Sequence, residues 1–292
     1  MSATRFAFGA MGILLVGWLA TGAAQANERW VVLGGDIAET IAALNADIDV
    51  VARDDTVVYP PEMEALPSVG YLRQLSAESV LSVSPDHVLA ASHAGPQEVL
   101  EQLTAVGVDV ERIDAPATLE AIPAKVRAVA QLTDRQQEGE SLAQTLTETL
   151  ERLTELPPLP EAPAMFILQN SGLTPRVAGS GTAAHTALEA AGLSNAFGTM
   201  TGYHSVSAEA LAEKAPELVI MSERGLVAIG GEAALWQLPG MALTPAGRQQ
   251  RLLVIDDQAL LGFGPRTPDQ LFTLRQNAEA LLRPTKTAQV SR

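Results

Sequence analysis

Residues 134–156, DRQQEGESLAQTLTETLERLTEL, carry the pattern that decides the fold. Their leucines recur at helical spacing, at Leu142, Leu146, Leu150 and Leu153. Asp134 is predicted to cap this helix at its start, and the prolines at 157 and 158 end it. A helix of about 23 residues would span roughly 34 Å. Because this is long for a helix inside one small lobe, we expect it to join two lobes.

Short apolar segments alternate with helical patterns on both sides of this helix. The predicted strands before it are 30–33, 48–52, 87–91 and 108–113, with helices at 37–44, 76–83 and 97–105. After it come strands 164–168, 218–221 and 252–255, with helices at 181–191 and 268–282. This alternation is typical of parallel βαβ units. The predicted fold class is therefore α/β, with two Rossmann-like lobes (27–133 and 157–292) whose sheets are rich in parallel strands, bridged by the helix 134–156.

An internal repeat supports two similar lobes. Residues 74–86 and 205–217 both read Ser-Ala-Glu, a short helix, Pro and an acid, and each is followed by an apolar strand. The dipeptides Gly70-Tyr71 and Gly202-Tyr203 precede the two copies. The repeat therefore predicts two lobes of similar topology that face one another.

Composition excludes several classes of function. The 292 residues contain 19 Lys and Arg against 34 Asp and Glu, a net charge of −15, which argues against nucleic acid as a partner. The chain has no cysteine, so disulfides, thiolate metal sites and cysteine nucleophiles are excluded. No Gly-x-Ser-x-Gly elbow, phosphate-loop lysine or His-x-x-x-His pair is present. Signatures of an enzyme are therefore few in this chain.

The first 26 residues resemble an export signal. Arg5 precedes the apolar run 6–20, and Ala24-Gln25-Ala26 offers a small-residue cleavage site. The alternative is a membrane anchor, but a run of about 15 residues is shorter than the roughly 20 that span a bilayer. The sequence predicts cleavage after Ala26 and a secreted or periplasmic protein.

Ligands of open α/β sheets bind beyond the carboxyl ends of the strands. The loops 92–96 and 222–225 follow predicted strands, and the two Gly-Tyr segments should border the same groove. We therefore expect five side chains to lie in one inter-lobe groove: Tyr71, Arg73, His93, Tyr203 and His204.

Tyr71 and Arg73 form the most informative pair in this set. A phenolate is a hard anionic ligand suited to ferric iron, including haem iron. A guanidinium two residues away favours the charged form of a phenol. The alternative is an ordinary half-buried tyrosine beside a solvated arginine. Tyr59 is a competing phenol, but it has no arginine near it in the sequence.

The segment 69–78, VGYLRQLSAE, resembles the signature of haem-binding periplasmic proteins that supply ABC importers. The resemblance continues through 54–60, 93–96, 178–184 and 261–266, and so covers nearly the whole chain after the export signal. It implies a class III periplasmic binding protein, in which a long helix bridges two α/β lobes. In this class the two lobes move little on ligand binding. It also implies that Tyr71 is the axial ligand of ferric haem, supported by Arg73.

The same resemblance implies partners and further contacts. Glu78 and Glu209 become acidic knobs, one per lobe, that meet basic pockets on an inner-membrane ABC permease. His204, which follows Tyr203, and His93 are candidates to face the porphyrin, with solvated loop histidines as the alternative. An outer-membrane haem receptor system is a further expected partner.

The sequence also departs from the family pattern. Some relatives carry a histidine for a second haem where this chain reads FILQN at 166–170, which argues against that two-haem mode. A corrinoid or ferric-siderophore receptor of the same fold remains an alternative. A metal-dependent periplasmic hydrolase is a more distant one.

Overall fold

The computed structural model describes residues 28–157, 159–168 and 174–283. The predicted export signal 1–26, its cleavage site and positions 169–170 of the FILQN stretch lie outside these residues. Among the described residues, no helix is both long and apolar enough to cross a membrane.

The N-terminal lobe is built on one parallel sheet. Its strands are β1 (Arg29–Leu33), β2 (Asp49–Arg53), β3 (His87–Ala91) and β4 (Asp109–Ile113). They lie in the order β2-β1-β3-β4, and all pairs are parallel. The helices are α1 (Gly35–Ala43), α2 (Pro61–Glu64), α3 (Ala77–Leu81), α4 (Gln97–Ala105) and α5 (Ile122–Leu132). The central strands are covered on both faces, which explains their nearly continuous apolar sequences.

A longer sequence of elements forms the C-terminal lobe. Its strands are β5 (Pro163–Ile167), β6 (Arg176–Ala178), β7 (Ser194–Asn195), β8 (Tyr203–Ser205), β9 (Leu218–Ser222) and β10 (Leu252–Ile255). The sheet runs β10-β9-β5-β6-β8, and β7 also pairs with β5. The β5, β7, β9 and β10 pairs are parallel, whereas β6 is antiparallel to β5 and β8. The short strands β6, β7 and β8 were not predicted from the sequence.

Short helices surround this second sheet. They are α7 (Ala183–Ala190), α8 (Ala208–Lys214), α9 (Glu223–Ala228), α10 (Glu232–Trp236), α11 (Pro245–Gln249), α12 (Asp257–Leu261) and α13 (Thr267–Leu282). The prediction of a loop at 222–225 is wrong, because α9 begins directly at the end of β9. Ser222 caps α9 through its hydroxyl, which accepts from the amide of Gly225 at 3.1 Å.

The long helix between the two sheets is α6 (Gln136–Thr154), which confirms the predicted fold class. The prediction that Asp134 caps this helix is wrong. Asp134 adopts a left-handed backbone conformation with φ 55°, and the cap position falls on Arg135, whose side chain makes no capping bond. The reason is α5, an unpredicted helix that ends at Leu132 and leaves only a tight turn before α6.

The helices α5 and α6 approach each other closely at Gly139. A Cβ atom added at Gly139 of α6 would lie 2.2 Å from the Cβ of Ala130 in α5. Only a glycine lets the two helices approach so closely, and Ala130 is itself buried. The main hydrophobic core runs continuously through both lobes and includes Leu33, Phe166 and Leu274. The division at residues 133 and 157 stays a prediction.

Gly139→Ala should lower the free energy of unfolding by about 1–3 kcal/mol, because overpacking outweighs the higher helix propensity of alanine. Gln144→Ala, at an exposed position of the same helix, should change it by less than about 0.5 kcal/mol. Urea unfolding followed by circular dichroism compares the two. A Gly139→Ala protein as stable as the wild type would contradict the close packing.

Candidate functional site

Tyr71 stands on a turn that is fixed at both ends. Its carbonyl accepts from the amide of Gln74 at 2.8 Å, and the neighbouring Leu72 and Leu75 are buried. These two leucines anchor the turn and leave the tyrosine side chain 42% exposed. The turn therefore presents a phenol to the surface from a rigid base.

The Tyr71 turn is joined to the loop 92–96 that carries His93. The Gly95 amide donates to the Leu72 carbonyl at 2.8 Å, and the Leu75 amide donates to the Gly95 carbonyl at 3.0 Å. Because β3 ends at residue 91, this pair of bonds places the Tyr71 turn at the carboxyl edge of the first sheet. Tyr71 and His93 thus belong to one structural unit.

A buried carboxylate supports the next segment of the same edge. Asp54 accepts from the amides of Gly34 and Thr56, both at 2.8 Å, so it links the end of β1 to the loop after β2. Burial raises the pKa of Asp54, and these hydrogen bonds oppose the rise. The next residue, Asp55, donates its amide to the carbonyl of Gly70 at 2.9 Å, directly before Tyr71. Gly70 has φ 102°, which glycine adopts without strain.

His93 lies among several charged groups. Desolvation lowers its pKa, Asp36 opposes this, and the positive charges of Arg73, Lys125 and Arg112 lower it further. Lys125 is itself buried in an ion pair with Asp36 at 2.7 Å. The imidazole is therefore neutral at physiological pH, the form that can bind a metal ion.

Tyr203 connects the C-terminal lobe to this group. Burial raises the pKa of Tyr203, while the Thr182 side chain and the charges of Arg176 and Arg73 lower it. The effect of Arg73 means that the two side chains lie within electrostatic range of each other across the lobes. We call the surface between the Tyr71 turn, the loop 92–96 and Tyr203 the inter-lobe cleft.

His204 is placed differently from its neighbour. Consecutive strand residues point to opposite faces, so His204 and Tyr203 of β8 do not face the same way. The Nε2 atom of His204 donates to the carbonyl of Thr201 at 2.5 Å. A hydrogen bond within the chain therefore occupies the Nε2 atom in this structure.

Glu78 and Glu209 occupy equivalent places in the two lobes. Ser76 caps α3 by accepting from the Ser79 amide at 3.1 Å, and Ser207 caps α8 by accepting from the Ala210 amide at 3.2 Å. Each glutamate is therefore the second residue of its helix and is exposed. Hydrogen bonds from the backbone amide of Glu209 and from the Ser207 hydroxyl lower the pKa of the Glu209 carboxyl group. The sequence repeat is thus also a structural repeat.

The surroundings of Tyr59 could not be predicted from the sequence. No arginine is near Tyr59 in the sequence, but Arg266 of the C-terminal lobe lies over its ring, with the Cζ atom 3.7 Å from the ring centroid. Arg266 in turn pairs with Glu39 at 2.6 Å and Asp256 at 2.8 Å. The only signal in the sequence was that Arg266 belongs to the segment 261–266 already noted for its family resemblance.

An apolar groove of about 620 Å³ lies away from these residues. It runs between α5, α6 and α7, and Leu119, Leu150 and His185 line it. None of the predicted site residues takes part in it. Within the described ranges, no group of three or more His, Asp or Glu side chains could hold a metal ion.

The electrostatic link between Arg73 and His93 can be measured by NMR. The titration midpoint of His93 should lie below 6.5, its ordinary value, and should rise in Arg73→Gln because a repelling positive charge is removed. Arg248→Gln removes an exposed charge that does not act on His93, so it should leave the midpoint unchanged. If Arg73→Gln also left the midpoint unchanged, the two side chains would not share one cleft.

Comparison with solved structures gives matches over nearly the whole chain. The periplasmic haem-binding protein BhuT in complex with two haems is 37% identical, with a TM-score of 0.79, and the match covers 88% of this chain and 99% of that one. The periplasmic haem-binding protein RhuT from Roseiflexus sp. RS-1 in apo form is 36% identical, with a TM-score of 0.80 and the same coverage. The periplasmic haem-binding protein HutB of Vibrio cholerae is 31% identical, with a TM-score of 0.75, covering 89% of this chain and all of that one.

Curated relatives carry a different ligand in their names. The vitamin B12-binding protein of Pectobacterium carotovorum subsp. carotovorum (strain PC1) is 26% identical over 205 residues, which cover 70% of this chain and 74% of the relative. The corresponding protein of Salmonella typhi is 27% identical over 218 residues, covering 74% and 78%. The family model described as periplasmic binding protein matches residues 31–259. The chain therefore belongs to the periplasmic binding protein family.

Proposed function

We propose that this protein is a periplasmic receptor that captures ferric haem in the inter-lobe cleft and delivers it to an inner-membrane ABC importer, without catalysing a reaction. The observation that carries the proposal is the exposed phenol of Tyr71 on a fixed turn beside Arg73, in a chain whose solved relatives bind haem. Export by the N-terminal signal, with cleavage after Ala26, is part of the same proposal.

Tyr71 is the axial ligand of the iron in this proposal. Its side chain is 42% exposed, although the turn that carries it is fixed by Leu72 and Leu75. A phenolate oxygen suits ferric iron, and Arg73 supplies a positive charge near the iron-bound oxygen. The apolar faces of the porphyrin then contribute most of the affinity by burial.

The other cleft residues take supporting roles. Burial raises the pKa of Tyr203, so its phenol stays protonated and contacts the ligand without binding iron. His93 is neutral and lies next to the Tyr71 turn, which makes it a porphyrin contact or a second ligand. His204 reaches the porphyrin only if its bond to the Thr201 carbonyl breaks.

A hemin titration tests the iron ligand. The wild-type protein should give the spectrum of high-spin ferric haem with a tyrosinate ligand, at one haem per chain. Tyr71→Phe removes only the hydroxyl and should abolish the tyrosinate band. It should also weaken binding about tenfold or more, because a ligand bond is lost while porphyrin burial remains.

Tyr203→Phe is the matched control, since it removes a phenol of the cleft that is not assigned to the iron. It should keep the tyrosinate band and change the affinity by less than about threefold, the effect of one neutral hydrogen bond. A tyrosinate band that persists in Tyr71→Phe would contradict the assignment of the ligand.

A corrinoid receptor is the second candidate, because the curated relatives named above are vitamin B12-binding proteins. The phenol and guanidinium of Tyr71 and Arg73 favour haem. Competition between hemin and cyanocobalamin discriminates the two functions. Displacement of hemin by equimolar cyanocobalamin would favour the corrinoid.

Docking to the permease is assigned to Glu78 and Glu209. Both are exposed at equivalent helix starts, one in each lobe, which suits a partner that contacts both lobes at once. Opposite charges across such an interface speed association and select the partner.

Glu78→Lys and Glu209→Lys should each reduce haem uptake through the reconstituted importer by about tenfold or more, because a like charge then faces a basic pocket. The affinity for hemin should not change. Glu148→Lys, on the exposed face of α6, is the charge-matched control and should transport normally. Normal transport by both knob variants would rule out this docking mode.

A further inference from the structure

Tyr59 is exposed, yet its backbone is held by a single side chain of the other lobe. The amides of Val58 and Tyr59 both donate to the Oε1 atom of Gln258, at 2.7 and 3.0 Å. The Nε2 atom of Gln258 donates to the carbonyl of Tyr59 at 3.1 Å. Both backbone polar groups of this surface residue are thereby fixed from across the inter-lobe boundary.

Gln258 is itself fixed in one orientation. It is only 6% exposed, and its Nε2 atom also contacts the Gly35 carbonyl at 3.0 Å and the Oε1 atom of Glu39 at 2.9 Å. Every partner of Nε2 is an acceptor, and both partners of Oε1 are donors. A flipped amide would therefore lose all these bonds, so the side chain has one state.

The ring of Tyr59 is held as well. The guanidinium of Arg266 lies 3.7 Å from the ring centroid, within the range of a cation–π contact. Ion pairs with Glu39 and Asp256 hold Arg266 in this position. One ring face is thus covered by Arg266, and 36% of the residue stays exposed.

Tyr59 lies on the same edge of the first sheet as Tyr71. It follows the end of β2 through the segment 54–58, which Asp54 anchors to Gly34. The bond from the Asp55 amide to the Gly70 carbonyl joins this segment to the Tyr71 turn. Both phenols therefore stand at the carboxyl ends of the parallel strands, where ligands of such sheets bind.

We propose that Tyr59 is a further ligand contact of the inter-lobe cleft, and that Gln258 and Arg266 are positioning residues that hold it in place from the C-terminal lobe. The exposed part of its ring packs against the apolar macrocycle. Fixing a contact residue before binding avoids the entropy cost of ordering it in the complex. This inference rests on the proposed haem-binding function.

Hemin titrations of variants test the contact. Tyr59→Ala should weaken hemin binding roughly five- to tenfold, the typical effect of losing an aromatic contact, and Tyr59→Phe by less than about threefold. The tyrosinate band should persist in both, because Tyr71 is untouched. Wild-type affinity in Tyr59→Ala would overturn the contact.

A double-mutant cycle tests the positioning role. Gln258→Ala should weaken binding in the wild-type background but have little further effect in Tyr59→Ala, because it acts through Tyr59. Equal losses in both backgrounds would mean that Gln258 only holds the lobes together, which would overturn the positioning role. Arg266→Lys provides a second variant and should show the same coupling.

Thr267→Ala is the matched structural control. It removes a buried hydrogen bond to the Ala259 carbonyl, next to Gln258 but inside the C-terminal lobe. It should leave hemin affinity unchanged.

Hydrogen exchange tests the positioning role without a ligand. The amides of Val58 and Tyr59 should exchange faster in Gln258→Ala, and equal rates would overturn the positioning role of Gln258. If the wild-type protein bound no hemin while the amide rates still differed, the proposed function would fail but the positioning role would stand.

Discussion

The buried amide of Gln258 is the contact on which the geometry of the cleft depends. It links the C-terminal lobe to α1, through Gly35 and Glu39, and to the loop that carries Tyr59. Arg266 and Glu39 add an ion pair beside it. The two lobes share one hydrophobic core, and these polar bonds join them beside it. We propose that the binding surface is thereby formed before the ligand arrives.

Such a polar junction carries a cost that the structure partly offsets. Burial raises the pKa of Glu39, while Arg266 and Gln258 oppose the rise. Buried charges rarely add to stability, but in some proteins they specify one arrangement of the groups around them. Here the specified arrangement is that of the lobes around the cleft. We therefore interpret Glu39 and Arg266 as residues retained for orientation rather than for stability.

Local patterns in the sequence predicted much of the fold. The strand His87–Ala91, the helix Gln97–Ala105 and the strand Leu252–Ile255 were predicted with the observed bounds, because continuous apolar runs and helical spacing are local signals. Strands of two or three residues, such as β7 and β8, leave no such signal. Asp134 was assigned as a cap because nothing in the sequence revealed how closely α5 precedes α6. The contact between Tyr59 and Arg266 joins residues about two hundred positions apart, and only the folded chain brings them together. Tyr71 and Arg73 were assigned to the cleft because their segment precedes a repeat helix, and His93 because its loop follows a strand of the parallel sheet; their common role stays a prediction.

Haem capture by Tyr71 in a preformed cleft can be examined in a crystal structure of the protein with hemin. We expect iron bonded to the Tyr71 oxygen, with the bonds of Gln258 to Val58 and Tyr59 unchanged from the ligand-free state. Iron bound by another side chain, or lobes rotated so that the Gln258 bonds are broken, would contradict it.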